Sequence, residues 1–521
     1  MHIRLGAVVA LLAAGAALTG GIRASADSLT VKTAQGKVRG KTINEGKVKA
    51  FLGLPYAAPP VGDQRWRAPE PAAKWKGVRD ATKFGPRCMQ ASVFQDMAFQ
   101  DAGPSEDCLY LNVYAPASAT AKSKLPVMLW IHGGGFLSGS ASEPRHNGDF
   151  LPLKGVVLAT INYRLGVFGF LATTELAKEG DGHAGNYGLM DMIAALEWVK
   201  NNIAKFGGDP ANVTIFGESA GSMAVSTLMA SPLAQGLFAK GIGESGSGLN
   251  ASLGGGTLAD AEKAGDAWME GAGSKSLKDL RALTAEEVLK ATSQTGRSAF
   301  ATVIDGKVLI EPIADTYAAG RQAHLPLLAG WNRDERGMSG GQETTADSWK
   351  AQGEKLFGER AAEFLKLYPA ETKEQALRSA IDFGGDSFIA YGTWKWLEAH
   401  AKTGDAPVYR YHLELPSPPS KFHPESAAFH SDDIEYVFGT LDTRPGCTWR
   451  PEDRKLSDQM MSYWANFARA GDPNGPGLPE WPRYDRTGGL IHLDSTITAG
   501  PDTVRARYEF LESVPALPKA F

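Results

Sequence analysis

Long runs of one kind of residue are scarce in this chain, and each absence argues against a class of protein. No basic run of five or more residues occurs, and the formal net charge is -4 with a pI of about 6.2. We therefore expect no nucleic-acid partner. Beyond the N-terminus, no stretch approaches the roughly 18 uninterrupted apolar residues that a transmembrane helix needs. Internal repeats and low-complexity tracts are also missing, which argues against repeat architectures.

Cysteine is rare as well, at Cys88, Cys108 and Cys447 only. There is no CxxC motif and no Cys/His cluster, so we expect no metal site, and no motif implies a cofactor. A disulfide between Cys88 and Cys108 would close a loop of about 20 residues and would contribute about 3 kcal/mol in the chain-entropy view. Cys447 would then be left over.

The N-terminus has the layout of a targeting segment. His2 and Arg4 precede an apolar stretch, Leu5–Thr19, and Ala24-Ser25-Ala26 is a small-x-small cleavage site. We expect residues 1–26 to be a signal peptide that is cut after about Ala26. The mature protein would then be secreted or periplasmic, without a stable membrane anchor.

The most informative stretch reads Gly-Glu-Ser-Ala-Gly at 217–221. A β-branched and aromatic run, Val213–Phe216, precedes it, and apolar residues at helical spacing follow from Met223. A serine on such a strand–turn–helix junction adopts strained backbone angles and presents its hydroxyl above the sheet edge. Because glycines flank it two residues away on each side, the tight turn has room. The motif predicts Ser219 as a nucleophile, the alternative being an ordinary Gly/Ser turn.

A second glycine-rich stretch follows a buried strand. Pro126–Ile131 is a near-continuous apolar run, which is typical of a strand covered on both faces. It leads directly into His132-Gly-Gly-Gly-Phe136. Successive glycines allow backbone N–H groups to converge on one point, as in an oxyanion hole built from a loop after a strand. The alternative is a flexible glycine loop.

The order of strands and helices predicts an α/β fold. Strand-like runs at 126–131, 156–163 and 213–216 alternate with a helical pattern between Leu189 and Ile203. This βαβ succession favours a mostly parallel central sheet flanked by helices. We expect Leu29–Arg39 and Val48–Leu54 to form a small N-terminal hairpin.

We expect residues 27–521 to form a single catalytic domain, because single-domain α/β enzymes routinely exceed the length of about 150 residues that is usual for a domain. Two segments, near 250–325 and 340–405, are richer in Ala, Glu and Lys and are expected to be mainly helical insertions that form walls of a substrate pocket. Within the first, Thr284-Ala-Glu-Glu287 predicts a capping box that opens a helix.

A serine hydroxyl needs a base, and the base needs a carboxylate that orients it. In the strand–turn–helix layout the order along the chain is Ser, then acid, then His. The histidines after residue 335 are His400, His412, His423, His430 and His492. His412 and His492 lie in strand-like runs and His400 in a helical one, whereas His423 and His430 lie in a loop. His430 is favoured over His423 because a well-structured apolar segment follows it.

The acid should follow a late strand. Leu325–Gly330 predicts such a strand, and the next loop carries Asp334 and Glu335. The residues alone leave both carboxylates open, and the alternative is a pair of solvated surface groups.

Several blocks together resemble the type-B carboxylesterase family, the branch of the α/β-hydrolases that also contains cholinesterases. The blocks are Phe206–Gly221, Glu106–Pro116 (EDCLYLNVYAP), His132–Phe136, Asn162–Phe170 and Gly185–Asp191. They occur in the family's order, and the resemblance extends over roughly residues 30 to 510. It implies the α/β-hydrolase fold and hydrolysis of small-molecule carboxylic esters through an acyl-enzyme.

The resemblance also implies roles for particular residues. These are Ser219 as nucleophile, Glu335 as acid, His430 as base, Gly134, Gly135 and Ala220 as oxyanion-hole donors, Glu218 as electrostatic support, Ser245 as a serine near the histidine, and Cys88–Cys108 as a disulfide.

The chain departs from the family pattern at two places. The acid segment, usually Asp-Glu-Gly, reads Asp-Glu-Arg-Gly at 334–337, so Arg336 interrupts it. The loop 88–108 lacks the tryptophan with which cholinesterases hold a quaternary ammonium, so a choline ester is not the favoured substrate. The alternatives are a non-catalytic adhesion or binding module on the same fold, or a hydrolase of amides, thioesters or lactones.

Overall fold

In the computed structural model, which describes residues 29–249, 254–294, 300–336 and 344–514, an eleven-stranded sheet organises the chain. Its strands are β1 Lys41–Ile43, β2 Val48–Pro55, β3 Tyr110–Pro116, β4 Leu125–Ile131, β5 Val157–Ile161, β6 Gly208–Glu218, β7 Lys240–Glu244, β8 Leu327–Asn332, β9 Val408–Leu413, β10 Gly489–Leu493 and β11 Thr498–Pro501. Their spatial order is β11-β10-β9-β8-β7-β6-β4-β5-β3-β2-β1. Strands β4 to β10 run parallel, and those at both edges pair antiparallel. The predicted mostly parallel sheet is therefore confirmed.

Helices cover both faces of the sheet. They are α1 Gly166–Phe170, α2 Thr174–Glu179, α3 Tyr187–Asn202, α4 Ala220–Ala230, α5 Leu258–Gly271, α6 Leu277–Ala282, α7 Ala285–Ala291, α8 Ile313–Ala318, α9 Ala346–Phe357, α10 Ala361–Leu367, α11 Lys373–Gly385, α12 Tyr391–Thr403, α13 Asp433–Phe438, α14 Pro451–Ala470, α15 Tyr484–Thr487 and α16 Arg505–Glu512. A π-helical turn, Asp386–Ala390, joins α11 to α12.

The apolar run of β4 explains why the sheet needs two cores. Val127, Leu129 and Ile131 enter the core that contains α3, α4 and α12, while Met128 and Trp130 enter the one that contains α13 and α14. Successive side chains of a strand point to opposite faces, so a strand that is buried on both sides must be apolar throughout. All five side chains are fully buried.

The N-terminal hairpin is present, but its pairing differs from the expected one. Thr30–Lys32 folds back on Lys37–Arg39, because Thr33 and Gly36 close a tight turn inside the stretch that was expected to be one strand. This hairpin pairs with Val78–Asp80 in a small separate sheet. Strand β2 instead pairs with β1 and β3 in the large sheet.

The two segments expected to be helical insertions carry α5 to α8 and α9 to α12. The capping box at Thr284 and Glu287 is confirmed at the start of α7. The first segment also contains a short parallel strand pair, Gly254–Thr257 with Thr302–Ile304. The predicted signal peptide lies outside the described residues. Within the described ranges, no helix combines the length and apolar character needed to cross a bilayer.

Candidate active site

Ser219 occupies a strained turn between β6 and α4. Its backbone angles are φ 55° and ψ -120°, a conformation that residues other than glycine rarely adopt. A Cβ atom on Gly217 would lie 2.5 Å from the carbonyl oxygen of Ile131, and one on Gly221 would lie 2.0 Å from it. Both positions therefore require glycine so that the turn can pack against the end of β4.

A chain of hydrogen bonds leads from Ser219 through an imidazole to a carboxylate. Ser219 Oγ lies 2.9 Å from His430 Nε2, and His430 Nδ1 lies 2.6 Å from Glu335 Oε2. The second oxygen of Glu335 accepts hydrogen bonds from Ser245 Oγ at 2.6 Å and from the backbone N–H of Asn332 at 2.7 Å. Ser245 thus contacts the acid directly, and both carboxylate oxygens are held by fixed donors.

The loops that carry Glu335 and His430 are joined to each other. The side-chain amide of Asn332, the last residue of β8, donates to the carbonyl oxygen of Phe429 at 2.9 Å. Asp334 N–H donates to Ala428 O at 2.8 Å, and Ala428 N–H donates to Asp334 Oδ2 at 3.1 Å. The position of the imidazole relative to its acid is therefore set by loop-to-loop hydrogen bonds.

Asp334 and His423, the alternatives to Glu335 and His430, make other contacts. Asp334 pairs with Arg333 and Arg378. His423 stacks on the ring of Phe429, with ring centroids 3.6 Å apart. The geometry brings together Ser219, His430 and Glu335, and it leaves Asp334 and His423 in supporting positions.

Carboxylates around the imidazole change its acidity. Glu218 Oε1 lies 3.2 Å from His430 Nε2, so the Glu218 carboxylate can pair with the protonated imidazole. Desolvation by itself would lower the pKa of His430, but the negative charges of Glu218 and Glu335, with Asp433 behind them, outweigh it and raise that pKa to about 9. The site therefore favours a positively charged imidazole at His430.

The glycine loop after β4 faces the same serine. Gly134 and Gly135 both have positive φ, at 102° and 64°. A Cβ on Gly134 would meet Ser138 O at 2.1 Å, and one on Gly133 would meet Glu218 Oε2 at 2.6 Å. Among the described residues, the N–H groups of Gly134, Gly135 and Ala220 donate to no protein acceptor. They are therefore available to an oxyanion, and Ala220 adds the positive end of the α4 dipole.

The disulfide loop holds that glycine loop in place. Cys88 and Cys108 form a disulfide, and Cys447 is free. Two residues after Cys88, the Gln90 side chain accepts from Ser138 Oγ at 2.7 Å and from Gly139 N–H at 2.8 Å, and it donates to Gly139 O at 2.8 Å. The cross-linked loop thus braces the segment on which Gly134 packs.

Three side chains around His430 were not predicted from the sequence. Asn332 joins the loops as described, Asp433 is buried at the start of α13, and Phe388 meets the His430 ring edge-on with centroids 5.0 Å apart. Phe388 lies on the π-helical turn, and the guanidinium carbon of Arg336 is 5.0 Å from its ring centroid. Asp433 is only three residues after His430 in the sequence, so its nearness to the imidazole could have been expected. Nothing in the sequence indicated the π-helical turn.

Comparison with known proteins identifies the family and agrees with this fold. The sequence matches the carboxylesterase family over residues 27–511. Para-nitrobenzyl esterase of Bacillus subtilis (strain 168) is 38% identical over 495 residues, which cover 91% of this chain and 96% of the relative. Fumonisin B1 esterase of Sphingopyxis macrogoltabida is 37% identical over 477 residues, which cover 88% of this chain and 85% of the relative.

Solved structures extend the likeness to three dimensions. A thermophilic PNB esterase aligns with a TM-score of 0.79 at 36% identity, covering 93% of this chain and all of the other (100%). A carboxylesterase of Geobacillus stearothermophilus aligns with a TM-score of 0.78 at 34% identity, covering 92% and 99%. The chain therefore belongs to the carboxylesterase family and is a carboxylic ester hydrolase with the α/β-hydrolase fold.

Proposed function

We propose that the protein is a secreted serine esterase that hydrolyses carboxylic esters through an acyl-enzyme on Ser219. The observation that carries the proposal is the hydrogen-bonded series from Ser219 Oγ through His430 to Glu335, with contacts of 2.9 and 2.6 Å. A serine hydroxyl becomes nucleophilic when a base removes its proton as it attacks, and this series supplies the base.

In the first half of the reaction, His430 Nε2 takes the proton of Ser219 while Oγ bonds to the ester carbonyl carbon. Glu335 keeps the other ring nitrogen as the donor, and Glu218 and Glu335 stabilise the imidazolium that forms. The carbonyl oxygen becomes an oxyanion and accepts hydrogen bonds from the N–H groups of Gly134, Gly135 and Ala220. Each such donor contributes roughly 3–4 kcal/mol in characterised oxyanion holes.

The tetrahedral intermediate then collapses. The bond between the carbonyl carbon and the alkoxy oxygen breaks, and His430 gives its proton to the departing alcohol. In the second half, water replaces the alcohol: His430 removes a proton from it, the hydroxide attacks the acyl-enzyme, and Ser219 is released with that proton. The products are one acid and one alcohol.

Ser219→Ala tests the nucleophile directly. Because the variant lacks the attacking oxygen while an alanine fits wherever serine did, we expect a folded protein whose turnover falls by about 10⁴-fold or more. Hydrolysis of aryl esters of increasing acyl length measures this and ranks acyl preference at the same time. Substantial remaining esterase activity in this variant would contradict the assignment of Ser219 as the nucleophile. Ser247→Ala, a buried serine outside the triad, is the matched control.

The secretion part of the proposal has separate support. The N-terminal segment has the features of a signal peptide, and the family match begins at residue 27, directly after the expected cleavage site. The disulfide between Cys88 and Cys108 is of the kind that forms in oxidising compartments. N-terminal sequencing of the exported protein should begin at about Asp27, and an intact Met1 on exported protein would contradict cleavage.

A further inference from the structure

A second cluster of chemically active side chains lies at the carboxyl ends of β9 and β10, outside the triad. His412 Nδ1 lies 2.8 Å from Glu414 Oε1, and His492 Nδ1 lies 2.6 Å from the same oxygen. All three residues are half-buried, and one ligand atom from each lies within 4.8 Å of the others. Two imidazole nitrogens and one carboxylate oxygen therefore converge on one small volume.

The backbone holds these side chains in register. His412 and His492 are directly paired residues on the neighbouring parallel strands β9 and β10. Glu414 follows β9, and its N–H donates to Leu493 O at 2.9 Å. The ring of His412 also packs against Trp331, with centroids 6.2 Å apart. The cluster is thus built on a sheet rather than on a loop, and little reorganisation is needed for all three groups to reach one ligand.

Within the part of the chain that the structure describes, no arginine pairs with Glu414. The cluster lines a cavity of about 260 Å³ that also contains arginines. Each of these arginines is paired with an aspartate: Arg333 with Asp334, Arg378 with Asp382, Arg410 with Asp502 and Arg507 with Asp382. Among the described residues, Glu414 makes ion-pair contacts with His412 and His492 only. The Glu414 carboxylate therefore faces two imidazoles, those of His412 and His492, and neither carries a charge unless it is protonated.

We propose that His412, Glu414 and His492 form a binding site for a divalent transition-metal ion of the zinc type. Two imidazoles and a carboxylate suit Zn²⁺ and its neighbours, whereas Mg²⁺ and Ca²⁺ prefer oxygen ligands throughout. Zn²⁺ binds nitrogen ligands at about 2.0–2.1 Å in a tetrahedral arrangement, so neighbouring ligand atoms lie about 3.3 Å apart. The imidazole nitrogens now lie 2.8 and 2.6 Å from Glu414 Oε1. Each nitrogen would therefore move away from that oxygen by roughly half an ångström when the ion binds. Each ligating Nδ1 gives up its proton to its own Nε2 or to solvent. Water completes the coordination, because the cavity is open to solvent.

The proposal is tested by calorimetric titration of the chelator-treated full-length protein with Zn²⁺, and separately with Mg²⁺. We expect one Zn²⁺ per chain and no matching Mg²⁺ binding. His492→Gln and Glu414→Gln should each weaken Zn²⁺ binding by at least about tenfold, since even residues that only support metal ligands cost that much. His324→Gln, an exposed histidine outside the cavity, is the matched control and should bind as the unaltered protein does.

None of the three cluster residues belongs to the triad, so retained ester hydrolysis reports that each variant is folded. Absence of saturable Zn²⁺ binding to the unaltered protein would overturn the proposal. So would binding that is unchanged in both cluster variants, because the ion would then lie elsewhere. If a variant fails to fold, X-ray absorption of the zinc-loaded unaltered protein decides: scattering from two imidazoles supports the site, and oxygen-only coordination overturns it.

Discussion

Asp334 and Glu335 are neighbours in the chain and carry the same charge, yet they do different things. Glu335 reaches His430, while Asp334 ties its own loop to Ala428 and pairs with Arg378. The same division separates His430, beside Ser219, from His423, which stacks on Phe429. In each case one residue belongs to the hydrogen-bonded series Ser219–His430–Glu335, and the other contacts the loop that carries its neighbour.

The residues by themselves favoured His430 over His423 but left Asp334 and Glu335 open, and the physical reason is distance along the chain. His430 is 95 residues from Glu335 and 211 residues from Ser219, so local spacing carries no information about which pair meets. The resemblance to the family indicated the pairs that the geometry brings together. Arg336, which interrupts the acid segment, lies over Phe388, and Glu335 is still held by Ser245 and Asn332.

Glu218→Gln should move the pH profile of ester hydrolysis. His430 acts as a base only when neutral, so activity falls as the pH drops below its pKa. Glu218 helps to raise that pKa above its usual value, to about 9. Removing the negative charge lowers the pKa, so the acid limb of the kcat/KM profile should shift to lower pH, while the alkaline plateau stays at or below that of the unaltered enzyme.

Glu286→Gln is a suitable control, because Glu286 is exposed on α7. An acid limb that stays in place in Glu218→Gln, or that moves to higher pH, would contradict the electrostatic role of Glu218. A shift of similar size in the control would mean that overall charge, rather than contact with His430, sets the profile.

At the scale of elements, the site is assembled where parallel strands end. Strand β6 delivers Ser219, β4 leads into the glycine loop, and β8 leads into the acid loop. The apolar runs of β4 and β6 were readable because strands buried on both faces must be apolar. The π-helical turn that carries Phe388 was not readable, because its sequence is equally compatible with a continuous α-helix.

Gln90→Ala tests whether the disulfide loop positions the oxyanion donors. The substitution removes the amide that holds Ser138 and Gly139, and a Cβ on the neighbouring Gly134 would already collide with Ser138 O. Gln90 makes three hydrogen bonds to this loop, each worth roughly 1 kcal/mol, so their loss should lower kcat/KM by about tenfold or more, mainly through kcat. Gln235→Ala, at an exposed glutamine, is the control. Unchanged kcat in Gln90→Ala would mean that the loop is held by other contacts.

For the molecule as a whole, the sequence predicted the parallel centre of the sheet better than the pairing of the N-terminal strands. The parallel centre follows from apolar strands and helices in alternation. The hairpin pairing was missed because the turn at Thr33–Gly36 lies inside a stretch with strand-like alternation. The His–Glu–His cluster was missed because His412 and His492 meet only through the pairing of β9 with β10.

The disulfide should contribute to the stability of the whole chain. It closes a loop of 20 residues, so replacing both Cys88 and Cys108 by serine should lower the free energy of unfolding by about 3 kcal/mol. The shift of the denaturation midpoint in urea, or of the half-life at elevated temperature if unfolding is irreversible, measures this. Cys447→Ser should behave as the unaltered protein, since Cys447 is free. Equal stability of the double variant would show that packing alone fixes the loop.

In the proposed reaction, Ser219 becomes covalently bonded to the acyl group. The most direct measurement is labelling of the purified protein with a fluorophosphonate, which captures a serine activated in this way, followed by peptide mass spectrometry. We predict one label per chain, on the peptide that contains Ser219, together with complete loss of esterase activity. The label should be absent in Ser219→Ala and slower to form in His430→Ala. Loss of activity with Ser219 unmodified, or labelling at another serine that accounts for the inhibition, would show that Ser219 is not the nucleophile.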